Sequence, residues 1–124
     1  MDKRDQGVPA DALRVLRDQL RQFALERDWD QFHSPKNLAS ALAVEAAELL
    51  EPFQWLTGEQ SSRLTSEQLA AVREEMADVL LYLIRLADKL DVDLVTAASE
   101  KLVRNAEKYP VARARGSSRK YTDL

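Results

Sequence analysis

The 124-residue sequence has no cysteine, one histidine and three glycines. Without cysteine it can form no disulfide and offer no thiol nucleophile or zinc thiolate, which suits a reducing cytoplasm. A single histidine excludes sites that need two from one chain, such as the paired Glu-x-x-His motifs of di-iron bundles. Three glycines leave no Gly-rich phosphate loop of the P-loop or Rossmann kind. Any phosphate chemistry must therefore depend on other side chains.

Long hydrophobic runs are also missing. No stretch approaches the roughly 18 uncharged residues of a membrane span, and the segment MDKRDQGVPADAL lacks the apolar centre of a signal peptide. We therefore expect a cytoplasmic protein with no membrane partner. The net charge of −3 argues against general nucleic-acid binding.

The charge is unevenly distributed along the chain. Between Glu45 and Asp78 lie eight acidic and two basic residues, a net charge of −6, so the remainder carries +3. An acidic middle with basic flanks favours a cation at the centre and an anion at the rim.

Apolar residues recur with the 3.6-residue period of helices, and strand signals are almost absent. The pattern predicts four helices, at about 11–28, 35–51, 66–90 and from Asp91 or Asp93 to about 108. The third has apolar residues around much of its circumference, so we expect it to be the most buried.

These helices predict a single all-α domain over residues 1–124, with flexible tails at about 1–10 and 111–124. Short connections favour a four-helix bundle subunit. The narrow apolar stripe of the first helix and the wide one of the third predict exposed apolar surface, which points to an oligomer.

Two pairs of carboxylates lie on apolar helix faces. Glu45 and Glu48 follow the inward residues Leu38 and Ala41 by seven positions, and Glu75 and Asp78 occupy successive turns of the third helix. A buried carboxylate either takes up a proton or finds a positive partner. Oxygen-only ligands favour Mg²⁺ or Mn²⁺ over zinc. The alternative, a solvated charged face, remains open and is the expected role of Glu67 and Glu74.

Aromatic and basic residues flank the carboxylate helices. Trp29 and Trp55 fit either packing at helix ends or stacking on a nucleobase. His33 is either a surface residue or a catalytic residue. Lys101, which shares a side of the fourth helix with Asn105, either extends past core atoms or contacts phosphate. The basic tail is either solvated or closes over an anion. Its residues are Arg113, Arg115, Arg119 and Lys120.

The spacing of the carboxylates resembles a family motif. Glu45-x-x-Glu48, 26 intervening residues and Glu75-x-x-Asp78 resemble the metal-binding motif of the MazG-like all-α nucleoside triphosphate pyrophosphohydrolases. Further segments are similar, in order, to the dCTP pyrophosphatase branch of that superfamily. They are ERDWDQFHSPKNL, EAAELLEPFQW, REEMADVLLYL, NAEKYP and SSRKYTDL.

The resemblance implies a Mg²⁺-dependent enzyme, with Mn²⁺ as a possible substitute, that cleaves a nucleoside triphosphate between its α and β phosphates. Glu45, Glu48, Glu75 and Asp78 would be both metal ligands and catalytic residues, with Glu51 nearby. Substrate contacts would come from the base-facing Trp29, His33 and Trp55, from Tyr82, Lys101 and Asn105 near sugar and phosphates, and from Arg119 and Lys120 in the tail.

The family assembles as dimers or tetramers, so the resemblance implies a homodimer or homotetramer with sites built partly from neighbouring chains. The expected substrate is dCTP or a modified dCTP, removed from the nucleotide pool. Two alternatives stay open: the same chemistry on dUTP or purine triphosphates, and a non-catalytic helical interaction module.

Overall fold

A computed structural model describes residues 11–124, which form six α-helices, two short 3-10 turns and no strand. The helices are α1 (Ala12–Glu26), α2 (Pro35–Leu50), α3 (Gly58–Ser61), α4 (Ser66–Lys89), α5 (Leu94–Lys108) and α6 (Val111–Ala114). The 3-10 turns are Asp30–Phe32 and Tyr121–Asp123. The predicted all-α class is therefore confirmed.

Local side-chain chemistry sets where the long helices begin. The Ser34 hydroxyl accepts a hydrogen bond from the Asn37 N–H, with Pro35 at the first helical position of α2. At α4, Thr65 and Gln68 form the expected capping box. Asp93, rather than Asp91, caps α5 by accepting from the Thr96 N–H.

The link between α2 and α4 contains a short helix that the sequence pattern does not predict. Thr57 and Gln60 form a second capping box at the start of α3. Because α3 has only four residues, no apolar period reveals it.

The chain divides into two compact units, one ending at Asp91 and the other running from Val92 to Leu124. In the first unit, α1 and α2 both pack on α4. Of the six buried residues in 11–124, four belong to α4, which confirms the expectation that this helix is the most buried. The six are Ala24, Leu38, Val72, Ile84, Arg85 and Ala87.

Helix α4 also carries an exposed apolar stripe. Leu69, Met76 and Leu83 recur at seven-residue spacing, and Leu90, the residue that follows the helix, continues the stripe; each is more than a third exposed in the single chain. The predicted exposed apolar surface is therefore present. The oligomer that it favours stays a prediction.

The second unit contains α5, α6 and the last 3-10 turn. The ring of Tyr121 meets Tyr109 edge-on with centroids 6.0 Å apart, so the segment after α6 returns to the end of α5. Whether residues 111–124 are flexible stays a prediction, and the predicted tail 1–10 lies outside the described residues. No helix within 11–124 has the length and apolar content required to cross a membrane.

Candidate active site

Three of the four predicted metal ligands converge between α2 and α4. Carboxylate oxygens of Glu45, Glu48 and Glu75 all lie within 4.8 Å of one another. The i, i+3 spacing places Glu45 and Glu48 on successive turns of one face of α2. Packing of α2 on α4 then brings Glu75 to the same place. Asp78 lies one turn further along α4 and is half-buried.

Two oxygens of this cluster are buried without a partner. Glu45 Oε2 and Glu75 Oε2 accept no hydrogen bond, and no lysine or arginine of residues 11–91 forms an ion pair with either carboxylate. Buried acceptors of this kind are costly unless a donor or a cation meets them. Oxygen-only donors suit a hard divalent cation, so these residues fit Mg²⁺ or Mn²⁺.

The neighbouring carboxylates raise the pKa of Glu45 to about 7. The largest cause is the shared hydrogen bond with Glu48, followed by burial and by the contact with Glu75; the charges of Glu48 and Asp78 add to the effect. In the absence of a cation, Glu45 therefore keeps its proton up to about pH 7. A divalent cation would remove the need for that proton.

Both tryptophans present their rings to solvent in the first unit. Trp55 follows α2 and is 87% exposed, so it is not a core residue of this unit. Trp29 is 45% exposed and is held edge-on against Phe23, with centroids 5.7 Å apart. The Arg27 guanidinium covers the Phe23 ring at 3.6 Å. Because nearly half of the Trp29 side chain is exposed, part of its ring remains accessible for stacking.

His33 belongs to an ionic network that the sequence analysis missed. Arg85, only 6% exposed, donates from Nε to His33 Nδ1 at 3.2 Å and from Nη2 to Asp30 at 2.6 Å. Its Nη1 donates to Asp88 at 3.3 Å. The i, i+3 spacing of Arg85 and Asp88 is visible in the sequence, but the contacts of Arg85 with His33 and Asp30, 52 and 55 positions away, are not.

Two further bases complete this network. Arg21 on α1 binds Asp88, and its hydrogen bond is the largest cause that lowers the Asp88 pKa. Lys89 binds Asp30 and is the largest cause of the lowered Asp30 pKa. The network thus ties α1, α4 and the 3-10 turn before α2 together.

The remaining predicted residues fall in both units. On α4, Tyr82 is half-buried one turn beyond Asp78, and Glu51, just after α2, is exposed. The second unit holds Lys101, Asn105, Arg119 and Lys120, of which only Asn105 is half-buried. Arg119 lines a shallow depression with Arg113 and Ser117. The roles of all these residues stay predictions.

An all-helical chain with carboxylates converging from two packed helices matches a known class of proteins. The MazG-like family matches residues 40–124, and the chain belongs to that family.

Named relatives agree with this assignment. Human dCTP pyrophosphatase 1 is 48% identical over 118 residues, covering 94% of this chain and 69% of the relative. Rat dCTP pyrophosphatase 1 is 44% identical, and the match again covers 94% of this chain and 69% of the relative. A pyrophosphatase of Archaeoglobus fulgidus has a similar structure, with a TM-score of 0.77 and 38% identity over 82% of this chain and 95% of that one. The prediction of a pyrophosphohydrolase enzyme is therefore confirmed.

Proposed function

We propose that the chain is a Mg²⁺-dependent nucleoside triphosphate pyrophosphohydrolase that converts dCTP, or a modified dCTP, to the monophosphate and pyrophosphate. The observation that carries this proposal is the convergence of Glu45, Glu48 and Glu75 with two buried, unpartnered oxygens. The relatives named dCTP pyrophosphatase 1 support the choice of base. The proposed role is cytoplasmic removal of unwanted nucleotides.

In this proposal the four carboxylates Glu45, Glu48, Glu75 and Asp78 hold Mg²⁺, which Mn²⁺ can replace. When bound there, the cation would supply positive charge against the triphosphate and against the charge that develops on the leaving pyrophosphate. One of the glutamates accepts the proton of the attacking water, because hydrolysis of the anhydride requires a base beside the nucleophile.

The other proposed contacts bind and orient the nucleotide. Trp29 and Trp55 stack on the base, since every nucleobase has a π-face, and His33 binds nearby. Positive charge at the phosphates comes from Lys101, Arg119 and Lys120. Tyr82 and Asn105 hydrogen-bond the sugar and phosphates.

Phosphorus NMR of the products tests the reaction directly. With dCTP and Mg²⁺, we expect a pyrophosphate signal beside a monophosphate signal. Orthophosphate with a diphosphate would mean cleavage at the wrong bond and would contradict the proposal. A panel at equal concentration, containing dCTP, 5-methyl-dCTP, dUTP and the purine triphosphates, separates the proposed base from its alternatives.

The competing interaction module predicts different behaviour. In that case no nucleotide is hydrolysed and Mg²⁺ leaves the melting temperature unchanged. Under our proposal, Mg²⁺ at about 100 times its Kd stabilises the fold by about 2.7 kcal/mol. The α4 stripe from Leu69 to Leu90 further supports a homodimer or homotetramer, which light scattering of the intact chain tests.

A further inference from the structure

The guanidinium of Arg85 is held in one orientation by three acceptors. Its Nε, Nη1 and Nη2 donate to His33, Asp88 and Asp30 respectively. The side chain is buried, and Asp88 is itself held by Arg21 from α1. A planar group fixed at three corners cannot rotate without breaking several hydrogen bonds.

This orientation determines which nitrogen of His33 carries the proton. A guanidinium has only donors, so His33 Nδ1 must accept and cannot carry a hydrogen. The neutral ring then carries its proton on Nε2. Within residues 11–91, Nε2 has no hydrogen-bond partner, and it is not among the buried unpartnered atoms. The Nε2–H is therefore open to an incoming acceptor.

Helix geometry places His33 far from the carboxylate cluster. Glu45 lies beside Glu75 and His33 beside Arg85, so α2 and α4 run antiparallel. Glu45 follows Ser34, the cap of α2, by eleven residues, about 16 Å along the helix axis at 1.5 Å per residue. If the triphosphate lies at the carboxylates, His33 lies near the nucleoside end of the substrate. Trp29 lies at the same end.

We propose that Arg85 is a positioning residue that holds His33 as the neutral Nε2–H tautomer, so that His33 offers the nucleoside of the substrate one hydrogen-bond donor and no charge. The nucleoside supplies an oxygen or ring-nitrogen acceptor. The tautomer follows from the contacts of Arg85 alone, and its use toward a nucleoside rests on the proposed function.

The electrostatic surroundings of His33 agree with a neutral ring. The groups that face it are Arg85 and Lys89 from α4 and Asp30 from the preceding 3-10 turn. Burial is the largest cause that lowers the His33 pKa, the charges of Arg85 and Lys89 lower it further, and Asp30 partly opposes them. Protonation at Nδ1 would also place a second donor against the Arg85 Nε–H.

Nitrogen-15 NMR of the intact chain tests the tautomer. Because the sequence contains a single histidine, its imidazole signals need no assignment. We expect a protonated Nε2 and an unprotonated Nδ1, retained as the pH falls below about 6.5, where an ordinary histidine takes up a proton. An Nδ1–H tautomer, or titration at or above the ordinary value, would overturn the proposal.

A pair of variants tests the role of Arg85. Arg85→Met removes the donor to His33, whereas Arg63→Met removes an exposed arginine that pairs with Glu59 and lies outside the network. In Arg85→Met we expect mixed tautomers, a His33 pKa nearer its ordinary value and a KM about two- to tenfold higher with kcat little changed. Arg63→Met should retain the wild-type imidazole spectrum and KM.

The proposed function and the positioning role of Arg85 are contradicted by different results. If the chain hydrolyses no nucleotide, the proposed function fails while the spectrum still decides the tautomer. If the chain hydrolyses nucleotide but Arg85→Met and Arg63→Met have the same KM, the positioning role is wrong. If Arg85→Met does not fold, two other measurements decide the proposal. They are the imidazole spectrum of the wild type and the KM of His33→Phe, which we expect to rise by about two- to tenfold.

Discussion

Leu38 is the residue on which the packing of the carboxylate helices can be tested most cleanly. It is 1% exposed and is the largest fully buried side chain in the part of the chain that the structure describes. It lies on α2 two turns before Glu45, on the same face. Truncation at Leu38 therefore perturbs the α2–α4 contact without touching a carboxylate.

Leu38→Ala removes a buried isobutyl group and leaves a cavity that its surroundings fill only partly. Substitutions of this kind cost about 3–5 kcal/mol. For a chain of this length, that loss lowers the melting temperature by about 10–25 °C. Because the cavity loosens α2 against α4, we also expect weaker binding of Mg²⁺.

Urea unfolding at one fixed protein concentration measures the change. Two control variants set the scale for this loss in the free energy of unfolding. Leu38→Met conserves volume and should cost less than about 1.5 kcal/mol. Leu50→Ala truncates a leucine of the same helix that is 60% exposed. A loss below about 1 kcal/mol for Leu38→Ala, or one equal to that of Leu50→Ala, would refute the packing described here.

Two further predictions concern the carboxylates and the aromatic rings. Since the folded pKa of Glu45 is about 7, above its ordinary 4.5, its stabilising effect is complete below pH 4.5 and is lost as the pH rises towards 7. With a chelator present, the melting temperature should therefore fall between pH 4.5 and pH 7 in the wild type and in Glu74→Gln, but not in Glu45→Gln. The same pH dependence in all three proteins would contradict the raised pKa of Glu45. Trp55→Ala should raise the KM for the nucleotide by about 5- to 100-fold through lost stacking, while the melting temperature stays unchanged because the ring is 87% exposed. An unchanged KM would remove Trp55 from the substrate site.

The sequence predicts those features that depend on neighbouring residues. Ser34 before Pro35, and Thr65 with Gln68, mark helix starts because a cap bonds to backbone within three residues. The i, i+3 spacing of Glu45 and Glu48 likewise places both on one helix face. Their meeting with Glu75 depends on how α2 packs on α4, so for that step the family resemblance was needed.

Other features depend on contacts distant in sequence. Arg85 has the spacing of an ordinary helical charge, and nothing local shows that it is buried against Asp30 and His33. The apolar pattern of α4 indicates that the helix is central. It does not reveal that Met76 and Leu83 remain exposed in one chain, because exposure depends on which faces α1 and α2 cover.

The central claim is that the carboxylates between α2 and α4 carry out the hydrolysis. The most direct measurement is Mg²⁺-dependent pyrophosphate release from dCTP by Glu48→Gln and by Glu74→Gln, each checked for an unchanged helical spectrum. Both variants remove one negative charge, but only Glu48 lies in the cluster, whereas Glu74 is exposed. We predict that Glu48→Gln loses the activity, by a factor of at least about 100, and that Glu74→Gln retains it. Equal activity of the two variants would contradict the account.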